Sequence, residues 1–168
     1  MEENNSVEGN DIMIQSAKKK DAHVMLDIMR QAFLRYKNDP FPSSALEETV
    51  QSIQDAMEKG EKAFIYYVDL TPVGIVRFRM EEKSLYFYRL SVIPEMQGKG
   101  IAKQLLSKLE DVAQQAGMSK IHCKVRKSEE NNIKLYKSVG FEIVGQDAVL
   151  KKNGTLEIVL MEKLLLAH

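Results

Sequence analysis

Residues Pro94 to Ala102 read Pro-Glu-Met-Gln-Gly-Lys-Gly-Ile-Ala, a glycine-bearing turn that leads from a β-rich run into an amphipathic one. A helix start leaves four backbone N–H groups without intrahelical acceptors, and the helix dipole makes that end partly positive. Gly98 and Gly100 carry no Cβ, so a bulky anion can approach their amides closely, and Lys99 adds a formal charge. This combination suits a diphosphate. The competing reading is a strand-to-helix turn in which the glycines serve geometry alone. The turn is not a Walker A loop, because no Gly-Lys-[Ser/Thr] ending follows, and it lacks the G-x-G-x-x-G spacing of a dinucleotide site.

Other side chains have chemistry to offer. Tyr136 lies on a short helical pattern and is either an aromatic of its buried stripe or a proton donor. Arg77, Arg79 and Arg89, with Tyr86 and Tyr88, fall on adjacent strand patterns. They either line a cleft for an anionic or planar acceptor or stand as solvated strand residues. His23 and His122 belong to a helix surface and a strand face. Cys123 sits in a strand pattern and reads as a buried, inert thiol. Three histidines and one cysteine without close spacing make no metal site, and a single cysteine forms no internal disulfide.

Positioning these groups falls to 168 residues with 24 basic and 24 acidic side chains, a net charge of zero. That length suits one domain, and 44% apolar with 29% charged residues suits a soluble globular fold. Zero net charge argues against nucleic acid as a partner. The longest apolar runs, Ile158–Met161 and Leu164–Ala167, are far shorter than the ~18–20 residues that cross a bilayer, so no membrane partner is expected. The acidic, polar start is unlike a secretory leader, which places the chain in the cytoplasm. Residues 1–10 read as a disordered N-terminal tail and residues 11–168 as the domain.

Apolar spacing then supplies the elements. Asp11–Ala17 suits a strand; Met25, Ile28, Met29, Ala32, Phe33 and Tyr36 mark a helix with Asp21 as its cap or first-turn acid. After Pro40 and Pro42, Ser44-Ala45-Leu46-Glu47 reads as a capping box for a helix along Leu46, Val50, Ile53 and Met57 that closes at Gly60. Strands follow at Ala63–Asp69, Val73–Met80 and Leu85–Ile93, the first two joined by a turn at Leu70-Thr71-Pro72. A helix then runs from Ile101 to Gly117, a strand over Lys120–Val125 and a helix over Asn131–Val139. Two last strands, Phe141–Leu150 and Leu156–Lys163, are turned by Asn153-Gly154. The order β-α-α-β-β-β-α-β-α-β-β indicates a mixed α/β sheet.

Three segments carry a family resemblance. Gln97-Gly98-Lys99-Gly100-Ile101-Ala102 matches the pattern Q/R-x-x-G-x-G/A and follows Leu90-Ser91-Val92-Ile93-Pro94, which is similar to L-x-V-x-P. Leu135-Tyr136-Lys137-Ser138-Val139-Gly140-Phe141 is similar to L-Y-x-x-x-G-F. On these the chain, over roughly residues 11–165, resembles the GCN5-related N-acetyltransferase (GNAT) superfamily. The resemblance implies a central, mixed, mostly antiparallel sheet of about seven strands, splayed between the fourth and fifth, with about four helices. It implies acetyl transfer from acetyl-CoA, as cosubstrate and without a metal, to a small-molecule or peptide amine. The diphosphate would sit on the backbone of Gly98, Gly100 and Ala102, with Gln97, Lys99 and Ile101 in the same turn. The pantetheine arm would pair with the backbone around Leu90 and Val92, and a nearby N–H would hold the oxyanion. Tyr136 would protonate the departing thiolate. Homodimerisation is common in that family and is an expectation here.

Two departures matter. Many members carry an acid on the strand before L-x-V-x-P; here that stretch reads Tyr86-Phe87-Tyr88-Arg89. Deprotonating a lysine-like amine of pKa ~10.4 at pH 7 costs about 4.6 kcal/mol, whereas an α-amino group near ~7.8 costs about 1 kcal/mol. The gap therefore favours a low-pKa amine, a water chain, or an acid from elsewhere such as Glu47, Glu48 or Glu142. The loop after Lys120–Val125 also departs, with Glu129 where an Asn is usual and Asn132 at the following Ala position, so Asn131 or Asn132 is left to reach the pantetheine. A non-catalytic acyl-CoA sensor is the alternative to an enzyme.

Overall fold

Near Lys62 the apolar spacing of three and four gives way to the unbroken run Ala63–Val68, and there α2 gives way to β2. The computed structural model describes residues 9–166. In chain order these form β1 (Ile12–Ser16), α1 (Ala22–Phe33), α2 (Val50–Glu58), β2 (Lys62–Val68), β3 (Thr71–Met80) and β4 (Ser84–Val92). Then come α3 (Ile101–Gln115), β5 (Lys120–Arg126), α4 (Glu130–Ser138), β6 (Glu142–Lys151) and β7 (Gly154–Leu164). The seven strands form one sheet in the order β1-β2-β3-β4-β5-β7-β6. Pairing is parallel between β4 and β5 and antiparallel at β1–β2, β2–β3, β5–β7 and β6–β7. This is the mixed sheet with four helices that the resemblance implied.

The described residues group into two compact units, residues 9–79 with 89–106 and residues 80–88 with 107–166. In the first, α1 and α2 lay Met25, Ile28, Met29 and Ile53 against Ala63, Ile65 and Ile75 of β2 and β3. The other face of these strands is buried too, with Phe64 stacked on Phe78 at 5.2 Å. Strands buried on both sides read as continuous apolar runs, and Val73–Phe78 is one, interrupted by Arg77 alone.

In the second unit, Ile121, Cys123 and Val125 alternate inward along β5, and the ladder sets Cys123 opposite Met161 and Val125 opposite Val159 on β7. The parallel ladder between β4 and β5 comprises Ser84–Tyr86 against Lys120–His122. Beyond that point β4 continues to Val92.

Several local expectations shift. The second helix begins later than Ser44–Glu47 suggests: those residues form a 3-10 turn, Ser43 Oγ accepts the Ala45 N–H, and Glu48 is extended. The capping box is Thr49 with Ser52, each side chain accepting the other's N–H at 3.0 and 2.9 Å. The carboxylate of Glu48 is engaged by arginines from the sheet, so a tertiary interaction overrides the local start signal. Asp21 does not cap α1 through its side chain; its carboxylate accepts the Lys18 N–H at 2.8 Å. The β2–β3 turn is Asp69-Leu70, both with positive φ as two-residue hairpins demand, and Pro72 lies inside β3 opposite Tyr67, next to a bulge at Val73 of the same strand. Of the expected N-terminal tail, residues 1–8 lie outside the described residues; Asn10 donates to the Asp69 carboxylate at 2.8 Å.

Candidate functional site

In the first unit, a 3-10 turn over Pro94–Met96 and an extended Gln97 deliver the chain to Gly98, at φ +78°, and Gly100, at φ +84°. Left-handed backbone is the reason for glycine here, because an added Cβ at either position would meet nothing within 4 Å. The surface above these amides is therefore open. Gln104 donates to the Gly100 carbonyl at 3.1 Å, so the N–H groups of Ile101, Ala102 and Lys103 precede that bond and have no helical acceptor. Buried Ile101 seats the helix start, with Lys99 and Ala102 half-buried beside it. From β2, the Tyr66 hydroxyl donates to Gln104 Oε1 at 2.9 Å and fixes the first turn; burial pushes that phenol's pKa up. Gln97 spends its side chain on the chain itself, donating from Nε2 to the Val92 carbonyl at 3.1 Å. The turn Gln97–Ala102 is thus tied to Val92 at the end of β4, with Leu90 two residues earlier on that strand.

Arg89, just before this stretch, has φ +54° inside a strand, a conformation that costs a non-glycine residue about 1–2 kcal/mol. Its side chain is anchored. Nε donates to Glu48 Oε2 at 3.0 Å and Nη2 to Ser44 Oγ at 3.0 Å, while Ser91 Oγ donates to the Arg89 carbonyl at 2.9 Å.

Behind it lies a buried ion cluster. Arg77 is 1% exposed and donates from Nε to Glu61 at 2.6 Å and from Nη1 to Glu48 at 2.5 Å. Arg77 therefore lines no cleft and is no solvated strand residue. Burial alone would raise the Glu48 pKa; the charges of Arg77 and Arg89, with hydrogen bonds from Arg89 and Ser52, outweigh it and hold the carboxyl below its ordinary value. A carboxylate so occupied is a weak proton acceptor, which counts against Glu48 as the missing base. Glu47 and Glu142 are exposed.

In the second unit, Asn132 and Tyr136 stand one turn apart on α4, the first half-buried and the second buried. The Tyr136 ring packs edge-on to Phe87, centroids 5.6 Å apart, and against Phe141 at 5.9 Å. His122 contacts Glu81 at 2.8 Å and tilts against Tyr86. Burial pushes the Cys123 thiol up to about 12, as an inert core thiol requires. Among the described residues no group of three or more His, Cys, Asp or Glu side chains is placed to hold a metal ion, and no helix is long and apolar enough to cross a membrane.

The model of the acetyltransferase (GNAT) family matches residues 26–141. The chain belongs to that family. Its GNAT fold is similar to the crystal structure of the ribosomal-protein-S18-alanine N-acetyltransferase of Escherichia coli, with a TM-score of 0.78, 18% identity, and 94% of this chain and 96% of that one covered. It is also similar to the paia N-acetyltransferase of Thermoplasma acidophilum in complex with coenzyme A, with a TM-score of 0.75, 16% identity, and coverage of 92% and 99%. An uncharacterized protein of Mycobacterium leprae is 29% identical over 111 residues, 64% of this chain and 29% of that protein. The chain thus spans under a third of the length of that curated relative.

Within the GNAT frame, the cluster of Glu61, Arg77, Glu48 and Arg89 is what sequence reasoning missed. One signal was present: a lone arginine at a core position of an apolar strand calls for a buried carboxylate partner.

Proposed function

We propose that the protein is an N-acetyltransferase that moves an acetyl group from acetyl-CoA to a primary amine by direct attack. The observation that carries this reading is the pair of left-handed glycines, open above their amides, at the N-terminus of α3. Backbone N–H groups there hold the diphosphate, and Lys99 adds charge. The backbone of Leu90 and Val92 takes the pantetheine arm as an added strand would. Asn132 is assigned a contact to that arm.

The amine nitrogen attacks the thioester carbonyl, a backbone N–H near Val92 stabilises the oxyanion, and the C–S bond breaks as the carbonyl reforms. Tyr136, in the role that L-Y-x-x-x-G-F implies, gives its phenolic proton to the leaving thiolate and regains one from solvent. With Tyr86-Phe87-Tyr88-Arg89 in place of an acid and Glu48 tied to two arginines, the ammonium gives up one proton to solvent before attack, and the attacking nitrogen gives up a second through water as the amide forms. Acceptors of low pKa, such as a peptide α-amine, follow from that chemistry.

The same two observations favour a second reading, an acyl-CoA sensor without turnover. Calorimetric titration with coenzyme A, followed by an amine panel read as free-thiol release from acetyl-CoA, tests both. Saturable binding with amine-dependent thiol release supports the transferase, binding without release on any amine supports the sensor, and no binding removes both.

A further inference from the structure

Three described residues other than glycine have positive φ; Asp69 and Leu70 turn a hairpin, whereas Arg89 sits within β4. Arginine has no intrinsic preference for left-handed backbone, and Tyr86–Ser91 contains neither Gly nor Asn that would favour it. Something outside the strand must hold it. We propose that Arg89 is a positioning residue: its guanidinium, gripped by Glu48 and Ser44, keeps its own backbone left-handed and so sets where the amides and carbonyls of Leu90–Val92 point.

The grip is itself anchored. Glu48 Oε1 accepts from Ser52 Oγ at 3.0 Å, Arg77 holds Oε2, and Arg77 is held in turn by Glu61, whose side chain is 3% exposed. The Arg89 carbonyl is capped by Ser91, itself buried. At the far end of the same stretch, Gln97 holds the Val92 carbonyl and the Ile93 N–H donates to the Val73 carbonyl at 3.0 Å. Leu90–Val92 is therefore clamped at both ends, by the ion cluster before it and by the diphosphate turn after it. The inference rests on the reading that this stretch carries the pantetheine arm.

Two substitutions separate the backbone from the side chain. Arg89→Ala removes the guanidinium but keeps the Cβ that disfavours φ +54°, so the strand straightens. Arg89→Gly also removes the guanidinium and accepts that φ freely. Titration with coenzyme A well below the melting temperature should show binding weakened about tenfold or more in Arg89→Ala and largely recovered in Arg89→Gly. A side chain that served stability alone would give the opposite order, because glycine has more entropy to lose. Equal binding in all three proteins, or glycine binding no better than alanine, overturns the proposal. If Arg89→Ala does not fold, Ser44→Ala removes one anchor at an exposed residue; weakened binding supports the proposal and unchanged binding overturns it. Hydrogen exchange at Leu90–Val92 in the ligand-free protein keeps the proposal apart from the reading beneath it. Should the wild type bind no coenzyme A, the transferase reading falls, and faster exchange in Arg89→Ala than in Arg89→Gly still supports Arg89 as the positioning residue while equal rates overturn it.

Discussion

Arg77 Nε lies 2.6 Å from Glu61 Oε2, with the arginine side chain 1% and the glutamate 3% exposed. A charge pair this dry stands only because each partner is satisfied: Arg77 also meets Glu48, and Glu48 also meets Arg89. The cluster touches α1 where Arg77 Nη1 meets Met29 Sδ at 3.8 Å, and it ends at Arg89, on the strand whose backbone is assigned to the cosubstrate.

Removing the central cation should be severe. Arg77→Ala leaves two carboxylates under-compensated, and a loss of about 3–5 kcal/mol in urea unfolding is expected. The double variant Arg77→Leu with Glu61→Leu should recover part of it, since a well-packed apolar pair replaces a dry ionic one. A single variant as stable as wild type would show that the cluster contributes nothing.

The acid response follows from Glu48. Its folded pKa lies below the ordinary 4.5, so its contribution is fully present above about pH 4.5 and is lost as pH falls through the lowered folded value. The stability difference between wild type and Glu48→Gln should therefore be constant from pH 7 to about 5 and shrink below 4.5. Urea midpoints across that range provide the check, and a difference that grows in acid would contradict the sign.

Gly100→Asp should abolish coenzyme A binding. It forces a side chain to φ +84° and sets a negative charge where the phosphates belong. Calorimetry reads the result, and binding within error of wild type would move the diphosphate elsewhere.

Tyr136→Phe keeps the ring that packs on Phe87 and Phe141 and deletes the hydroxyl. Turnover should fall by about 10²-fold, the usual contribution of a positioned acid, with coenzyme A affinity and melting temperature nearly unchanged. Undiminished turnover would leave Tyr136 as a packing residue.

Cys123, 3% exposed and with its thiol pushed up to about 12, should resist a thiol reagent at neutral pH in the native protein and react stoichiometrically in urea. Rapid native labelling would mean that β5 opens readily.

The glycine turn to which the diphosphate is assigned was legible because its geometry is local: two glycines for left-handed backbone, a helix start for orphan amides, and a lysine between them, all from Gln97 to Ala102. The strand and helix order was legible for the same reason, since burial on one or both faces imprints its period on neighbouring residues. The second helix start was not. Ser44-Ala45-Leu46-Glu47 has the right letters, but Glu48 is drawn into extended backbone and its carboxylate is engaged by arginines from two strands.

What the sequence determined by itself was the family's fold and the left-handed glycine turn that opens α3, because each is written in residues a few positions apart. Tertiary structure alone decided the fate of Arg77, Glu48 and Arg89. Their contacts join residues 16, 29 and 41 positions apart, and the energy of a buried charge depends on what folding brings beside it. An arginine read as either lining a cleft or standing solvated on its strand became the centre of a dry ion cluster, and another was turned left-handed within its strand.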